Sequence, residues 1–348
     1  MLIEIARCSL QGMIERERGG VMSRWMLVLT LLAGVILPDM ARAKPALPVP
    51  VNCPKCWHPK LKTSWDWFLD KKLVPPYHDV EMYDLDYEYT SAETVIDLKR
   101  RPGRKVICYI SAGTWEAKRP DAGSYPERIL GKINEDWPDE LERWVDVADV
   151  QKQGSVLATL LLTRLDICAQ KGFDGVEFDN VDVYQDNAKG EPRAGTFKDI
   201  GGKERALTAW DQLYFNMWLA NEAHARGLSA GLKNDGAQIP QLVEYFDWAL
   251  NEGCFEEPER HSRQHQCVTK DNVKLEEGRF GYDMFTARGK AVFGVTYPEK
   301  GTDKAMERGA FAEWIEKDKA RVCPLANGAN FNWILKKKDL RAEWAACR

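Results

Sequence analysis

Residues 156–182 read VLATLLLTRLDICAQKGFDGVEFDNVD. The segment 156–171 places apolar side chains at helical spacing and stops at Gly172, the residue type that ends helices. Gly175-Val176-Glu177-Phe178-Asp179 then reads as a short apolar strand that finishes on carboxylates. A helix fed through a glycine turn into such a strand is the repeating unit of a parallel α/β sheet.

Working outward, the same alternation recurs along the chain. Strands are expected over 65–69, 80–86, 105–111, 144–147, 175–179, 228–233, 247–252 and 290–296, and amphipathic helices over 91–101, 156–171, 208–226 and 305–321. Thr90 with Glu93 has the spacing of a capping box at the first helix, and Gly227 ends the third. Eight strands alternating with helices over about 280 residues predict a single-domain α/β fold of the (β/α)8 TIM-barrel type. An open doubly wound sheet is the rival, but no G-x-G-x-x-G follows a strand and no phosphate-binding loop motif occurs. The stretch 253–284 is rich in charge and lacks periodicity, so a long loop is expected after the seventh of these strands.

In a parallel barrel the chemistry gathers where strands end. Glu177 and Asp179 share one face of their strand, and Asp182 follows in the turn. Lys233 and Asn234 finish the next strand, Glu252 the one after it, Tyr109 and Ser111 share a face of the third, and Asp84 lies in the second. Converging carboxylates suit metal-assisted hydrolysis or glycoside hydrolysis, in which one carboxyl protonates the leaving oxygen while another attacks the sugar or activates water. None of the five histidines ends a strand, so no metal and no cofactor is expected, and glycoside hydrolysis is favoured. The 13 Trp and 11 Tyr residues could supply stacking faces for sugars as well as core.

The chain of 348 residues carries 49 Lys and Arg against 53 Asp and Glu, a formal charge of -4 without a long basic run. Nucleic acid is therefore not an expected partner. Residues 1–43 read as a leader: Met22-Ser23-Arg24, an apolar run from Trp25 to Leu37 too short for a membrane span, and Ala41-Arg42-Ala43 as a cleavage site. This places the expected start at Met22, cleavage after Ala43, and the mature protein in the periplasm or outside the cell with no membrane attachment. Its removal takes away five positive and four negative residues, leaving -5, and reduces nine cysteines to eight. An even number suits an exported protein with disulfides. Cys254 with Cys267 and Cys323 with Cys347 bracket loop-like stretches and are the expected pairs, whereas Cys108 and Cys168 are expected as buried free thiols. Cys53-Pro54-Lys55-Cys56 has neither a second pair at zinc spacing nor a following strand–helix unit, which argues against metal or redox roles. Residues 44–60, with five prolines, read as an extended lead-in to a domain over 61–348.

At VICYISAGTWE (106–116), RLDICAQKGFDGVEFDNVDVY (164–184), GLKND (231–235), FDWALNEGCF (246–255) and GKAVFGVTYP (289–298) the chain resembles glycoside hydrolase family 114, the endo-α-1,4-polygalactosaminidase-like barrels. The resemblance implies an extracellular or periplasmic retaining hydrolase of α-1,4-linked galactosamine or N-acetylgalactosamine polymers, and a monomer is expected. It makes Asp179 and Glu252 the catalytic carboxylates, with Asp179 as nucleophile and Glu252 as acid/base by analogy with α-retaining barrels. Tyr109, Glu177, Asp182, Lys233, Asn234 and Tyr297 would line the sugar subsite, joined by Ser111 and Asp84 from their strand positions. The sequence departs from the family pattern after Phe255 and at Thr296, both on the rim, so the rim is where preference for another polysaccharide would arise. A barrel that keeps glycan binding without hydrolysis is the rival reading. The acidic mouth would attract a polycation such as partly deacetylated polygalactosamine.

Overall fold

The computed structural model describes residues 44–135, 137, 141–187, 189–199, 202–255, 267–268, 281–298, 308–341 and 343–347. The expected leader and most of the expected loop 253–284 lie outside them. Residues 45–348 form one compact unit.

Its main sheet runs β1 (Trp65–Phe68), β2 (Met82–Asp86), β3 (Lys105–Ser111), β4 (Gly175–Asp179), β5 (Ser229–Lys233), β6 (Trp248–Glu252), β7 (Val292–Thr296), β8 (Asn332–Lys336) and β9 (Trp344–Ala346). Neighbours in this order are hydrogen-bonded, and every pair is parallel except β8 with β9. The helices are α1 (Ala92–Lys99), α2 (Val156–Lys171), α3 (Ala209–Ala225), α4 (Ile239–Leu242), α5 (Asp283–Thr286) and α6 (Arg308–Gly328). The result is a TIM barrel whose first link, 69–81, contains no helix.

Two expected elements move. The run at 144–147 is a strand, Glu142–Val145, but it pairs antiparallel with Thr114–Glu116 and Leu130–Ile133 in a small sheet between β3 and α2. The eighth barrel strand is instead Asn332–Lys336, and the long excursion follows the sixth barrel strand, β6. Burial of Lys336 against Asp66, at 2.7 Å, lets a lysine-ended run finish inside the fold. At α1 the cap is Ser91, whose hydroxyl accepts from Thr94 N, and not Thr90; the capping box belongs to Thr208 and Asp211 at α3.

Alternation assigns the faces. Trp65, Trp67, Met82, Ile107, Trp248 and Phe293 meet inside the barrel, while Cys108, Ile110, Val176 and Phe178 pack outward against the helices. Gly231 sits on the interior face opposite Trp248, where any Cβ would overlap the indole ring, so the position takes glycine. Between β8 and β1 the ring closes through side chains: Trp65 Nε1 donates to Asn332 O (2.9 Å) and Trp344 Nε1 to Trp65 O (3.2 Å).

Four disulfides join Cys53–Cys56, Cys108–Cys168, Cys254–Cys267 and Cys323–Cys347. The pair expected as free thiols is therefore bonded: Cys108 points outward from β3 and meets Cys168 on the inner face of α2. The proline-rich lead-in lies along α3, where Val51 N donates to Asn221 Oδ1 (2.8 Å), Asn221 Nδ2 donates to Val49 O (2.9 Å) and Tyr245 OH donates to Pro48 O (2.6 Å). No helix among the described residues is long and apolar enough to cross a membrane.

Candidate active site

Parallel pairing in register brings the ends of β3, β4, β5 and β6 to one mouth. At its centre Lys233 Nζ lies 3.1 Å from Glu177 Oε1, 2.9 Å from Asp179 Oδ1 and 3.1 Å from Glu252 Oε2. The ammonium occupies the point where a cation held by these carboxylates would sit. Its underside rests on Trp67 of β1, 4.6 Å from the ring centroid. Among the described residues no group of three or more His, Cys, Asp or Glu side chains is arranged for a metal ion.

Each of the two outer carboxylates has a tyrosine. Tyr109 OH donates to Asp179 Oδ2 at 2.7 Å, and Tyr297 OH donates to Glu252 Oε1 at 2.7 Å. Burial alone would raise Asp179, but the Lys233 charge, the Tyr109 hydroxyl and the Asn180 N–H together hold its carboxyl below the usual range. Burial and the Asp179 charge push Tyr109 well above its ordinary value, so it remains a donor. Burial opposes the charge on Lys233, yet Asp179, Glu252 and Glu177 outweigh it and lift its pKa well above the ordinary one.

The other expected site residues sort by depth. Asp84 and Glu177 have no exposed surface and lie below the level of Asp179, whereas Ser111, 1% exposed, stands beside Asp179 as its register partner. Ser111 Oγ accepts from Asn180 Nδ2 (2.9 Å) and meets Thr114 Oγ1. Asn234, in the left-handed region with φ 49°, turns its Oδ1 to the backbone N–H of Glu252 (3.1 Å) and to Asn251 Nδ2 (3.1 Å), bracing the end of β6. Asp182 sits 3.5 Å from Arg193 Nη1, and burial and the nearby Asp179 charge raise its carboxyl.

Sequence reasoning missed three contributors. Trp67 carried a signal, since it shares a face with Trp65 in a strand; Asn180 and Glu142 did not. Asn180, with φ 59°, donates its backbone N–H to Asp179 Oδ1 (2.8 Å) and its amide to Glu142 Oε1 (3.3 Å). Its carbonyl lies so close to Gly113 that a Cβ there would overlap it. Burial pushes Glu142 up to about 7. A separate cavity of about 170 Å³ borders Asp66, Leu73, Tyr77, His78 and Tyr83, but its carboxylate is already paired with Lys336 and His78.

Residues 48–348 match the model of glycoside-hydrolase family GH114. Among solved structures the chain is similar to Aspergillus fumigatus Ega3, determined in complex with galactosamine, with a TM-score of 0.64 and 31% identity over 86% of this chain and 100% of that one. It is also similar in fold to the glycoside hydrolase domain of PelA from Pseudomonas aeruginosa, with a TM-score of 0.52 and 13% identity over 81% of this chain and 98% of that one. No curated protein sequence matches.

Proposed function

The chain belongs to glycoside-hydrolase family GH114 and is a glycoside hydrolase, and on that premise we propose that it cleaves polymers of α-1,4-linked galactosamine or N-acetylgalactosamine with retention of configuration. One observation carries the mechanism. Because a single Nζ atom lies 2.9 Å from Asp179 Oδ1 and 3.1 Å from Glu252 Oε2, those oxygens are at most about 6 Å apart, the two contacts laid end to end. Retaining enzymes separate their carboxyl groups by about 5–5.5 Å, and inverting enzymes by about 6.5–9.5 Å to admit a water.

In this reading Asp179, held ionised by Lys233 and Tyr109, attacks the anomeric carbon while Glu252 gives its proton to the departing glycosidic oxygen. The new ester between Asp179 and the sugar is then broken by water, which passes a proton back to Glu252 as its oxygen bonds the same carbon. Two inversions leave the starting configuration. Tyr297 orients Glu252 through its 2.7 Å hydrogen bond. The galactosamine in the Ega3 structure and the acidic mouth, with Asp182 beside Asp179, support an amino-sugar polymer as substrate. The four disulfides support work outside the cytoplasm.

The test is reducing-end release from galactosamine, N-acetylgalactosamine and neutral α-glycan polymers, with Glu252→Gln alongside. The expected result is release from the amino-sugar polymers, reduced about 10²–10⁴-fold by the substitution. Release unchanged by Glu252→Gln overturns the assignment, and no release from any glycan favours a barrel that only binds.

A further inference from the structure

Beneath the Lys233 ammonium lie two carboxyl groups that the proposed mechanism does not use. Asp84 ends its side chain inside the barrel from β2, and Glu177 does so from β4, each with no exposed surface. Glu177 Oε1 accepts from Lys233 Nζ, yet Glu177 Oε2 and both Asp84 oxygens are buried without any N–H or O–H donor from the protein. Both stand on the strands that flank β3, and each carboxyl acts on the ionisation of the other. Two adjacent ionised carboxylates with three undonated oxygens would combine a desolvation penalty with like-charge repulsion. One proton between them removes both costs, because a neutral carboxylic acid donates an O–H to its neighbour.

We propose that Asp84 is a positioning residue for the proposed hydrolysis: it shares one proton with Glu177, and that hydrogen bond fixes Glu177 under Lys233, which in turn holds Asp179 and Glu252. The groups facing the pair fit this. From β1 the neutral Trp67 indole lies at the register partner of Asp84; from β3 comes the Tyr109 hydroxyl; from β4 Asp179; from β5 Lys233; and Glu252 of β6 reaches the same ammonium. Lys233 is the sole cation among them and already serves three carboxylates. Burial raises Asp84 well above the carboxylate range, with Glu177 adding to it, and pushes Glu177 up to about 7. As pH rises past the point where the pair loses its proton, the two carboxylates repel and the support under Lys233 loosens.

This inference rests on the hydrolase reading for its effect on rate, but its physical core is read without substrate. Infrared spectra of the free protein near neutral pH should contain the carbonyl stretch of a protonated carboxylic acid, and the Asp84→Asn difference spectrum should show that band lost. In activity, Asp84→Asn, whose amide can donate to Glu177 without titrating, should exceed Asp84→Ala by at least about tenfold in kcat with KM little changed. Its alkaline limb should also extend to higher pH than that of the wild type. A difference spectrum in which Asp84→Asn loses no acid band, or an alkaline limb that does not move in Asp84→Asn, overturns the shared proton. If Asp84→Ala does not fold, the infrared and pH comparisons with Asp84→Asn decide alone. Protein whose acid band disappears in Asp84→Asn but which cleaves no glycan would instead overturn the hydrolytic mechanism and leave the proton pair standing.

Discussion

Lys233 and Asp179 form the shortest of the three ion pairs made by this lysine, Nζ to Oδ1 at 2.9 Å, on a side chain that is 1% exposed. The same nitrogen touches Glu177 and Glu252, so removing it leaves three carboxylates without their shared counter-charge. Lys233→Met should lower kcat by at least about 100-fold through loss of positioning. It should also cost about 3–5 kcal/mol of stability, as expected when one partner of a buried ion pair is removed. Steady-state kinetics and chemical denaturation on the same preparation check both.

Tyr109→Phe removes only the 2.7 Å hydrogen bond to Asp179. That bond helps hold the Asp179 carboxyl below its usual range, so its loss raises the pKa. The acid limb of kcat/KM should move to higher pH while the plateau falls about tenfold or more, the order expected for a hydrogen bond to a charged group. A full pH profile reads both effects, and an unmoved acid limb would dissociate Tyr109 from the ionisation of Asp179.

Asp235 is buried, accepts from Asn216 Nδ2 (2.9 Å), and is pushed well above its ordinary 3.8 by burial and by the Asp182 charge. A carboxyl raised in the folded state binds its proton more tightly there than in the unfolded chain. Its contribution is therefore fully present at low pH and is lost as pH rises from about 4 through the folded value. Asp235→Asn removes this titration, so its Tm should gain on that of the wild type with each step in pH above 4. Melting curves across that range test it; parallel curves would contradict it.

The Cys108–Cys168 bond ties β3 to α2 across 60 residues of sequence. Replacing both with alanine should cost about 2–4 kcal/mol, measured as a lower denaturant midpoint. Thiol titration of denatured, unreduced protein lacking residues 1–43 should find no free cysteine, because all eight remaining cysteines are paired.

Asp66→Ala would strand the Lys336 ammonium, which has no exposed surface and whose 2.7 Å partner is that carboxylate. The expected loss is about 3–5 kcal/mol. Amide exchange should quicken first in β8 and β9, where the ring closes. Uniform acceleration across the sheet would show that the pair does not act at the seam.

What was legible in the sequence follows from what local patterns encode. The carboxylates Asp179 and Glu252 and the lysine between them end apolar strands, and strand ends are where a parallel barrel places chemistry. Alternation puts Glu177 on one face with Asp179. It carries no information on depth along the barrel axis, so the expectation that Glu177 and Asp84 line the groove misses their full burial. The strand at Glu142–Val145 has the same apolar character as a barrel strand, and only its antiparallel partners reveal that it belongs to a side sheet. Asn332–Lys336 was missed because its lysine end looks solvated until Asp66, 270 residues earlier, is beside it. The Cys108–Cys168 bond likewise depends on how a helix packs on a strand, which no spacing rule contains.

The seam between β1 and β8 sets a timetable for biosynthesis. Trp65 of β1 waits for Asn332, 267 residues downstream, before its indole finds an acceptor, and the second contact at that edge needs Trp344. A chain that emerges residue by residue thus presents β1 with a bare edge until nearly all of it has been made. Such an edge is a template for wrong pairing between nascent chains. Recovery of folded protein should therefore depend on how quickly residues 332–346 follow, and a synonymous slowing of translation upstream of them should lower yield without altering the protein that does fold.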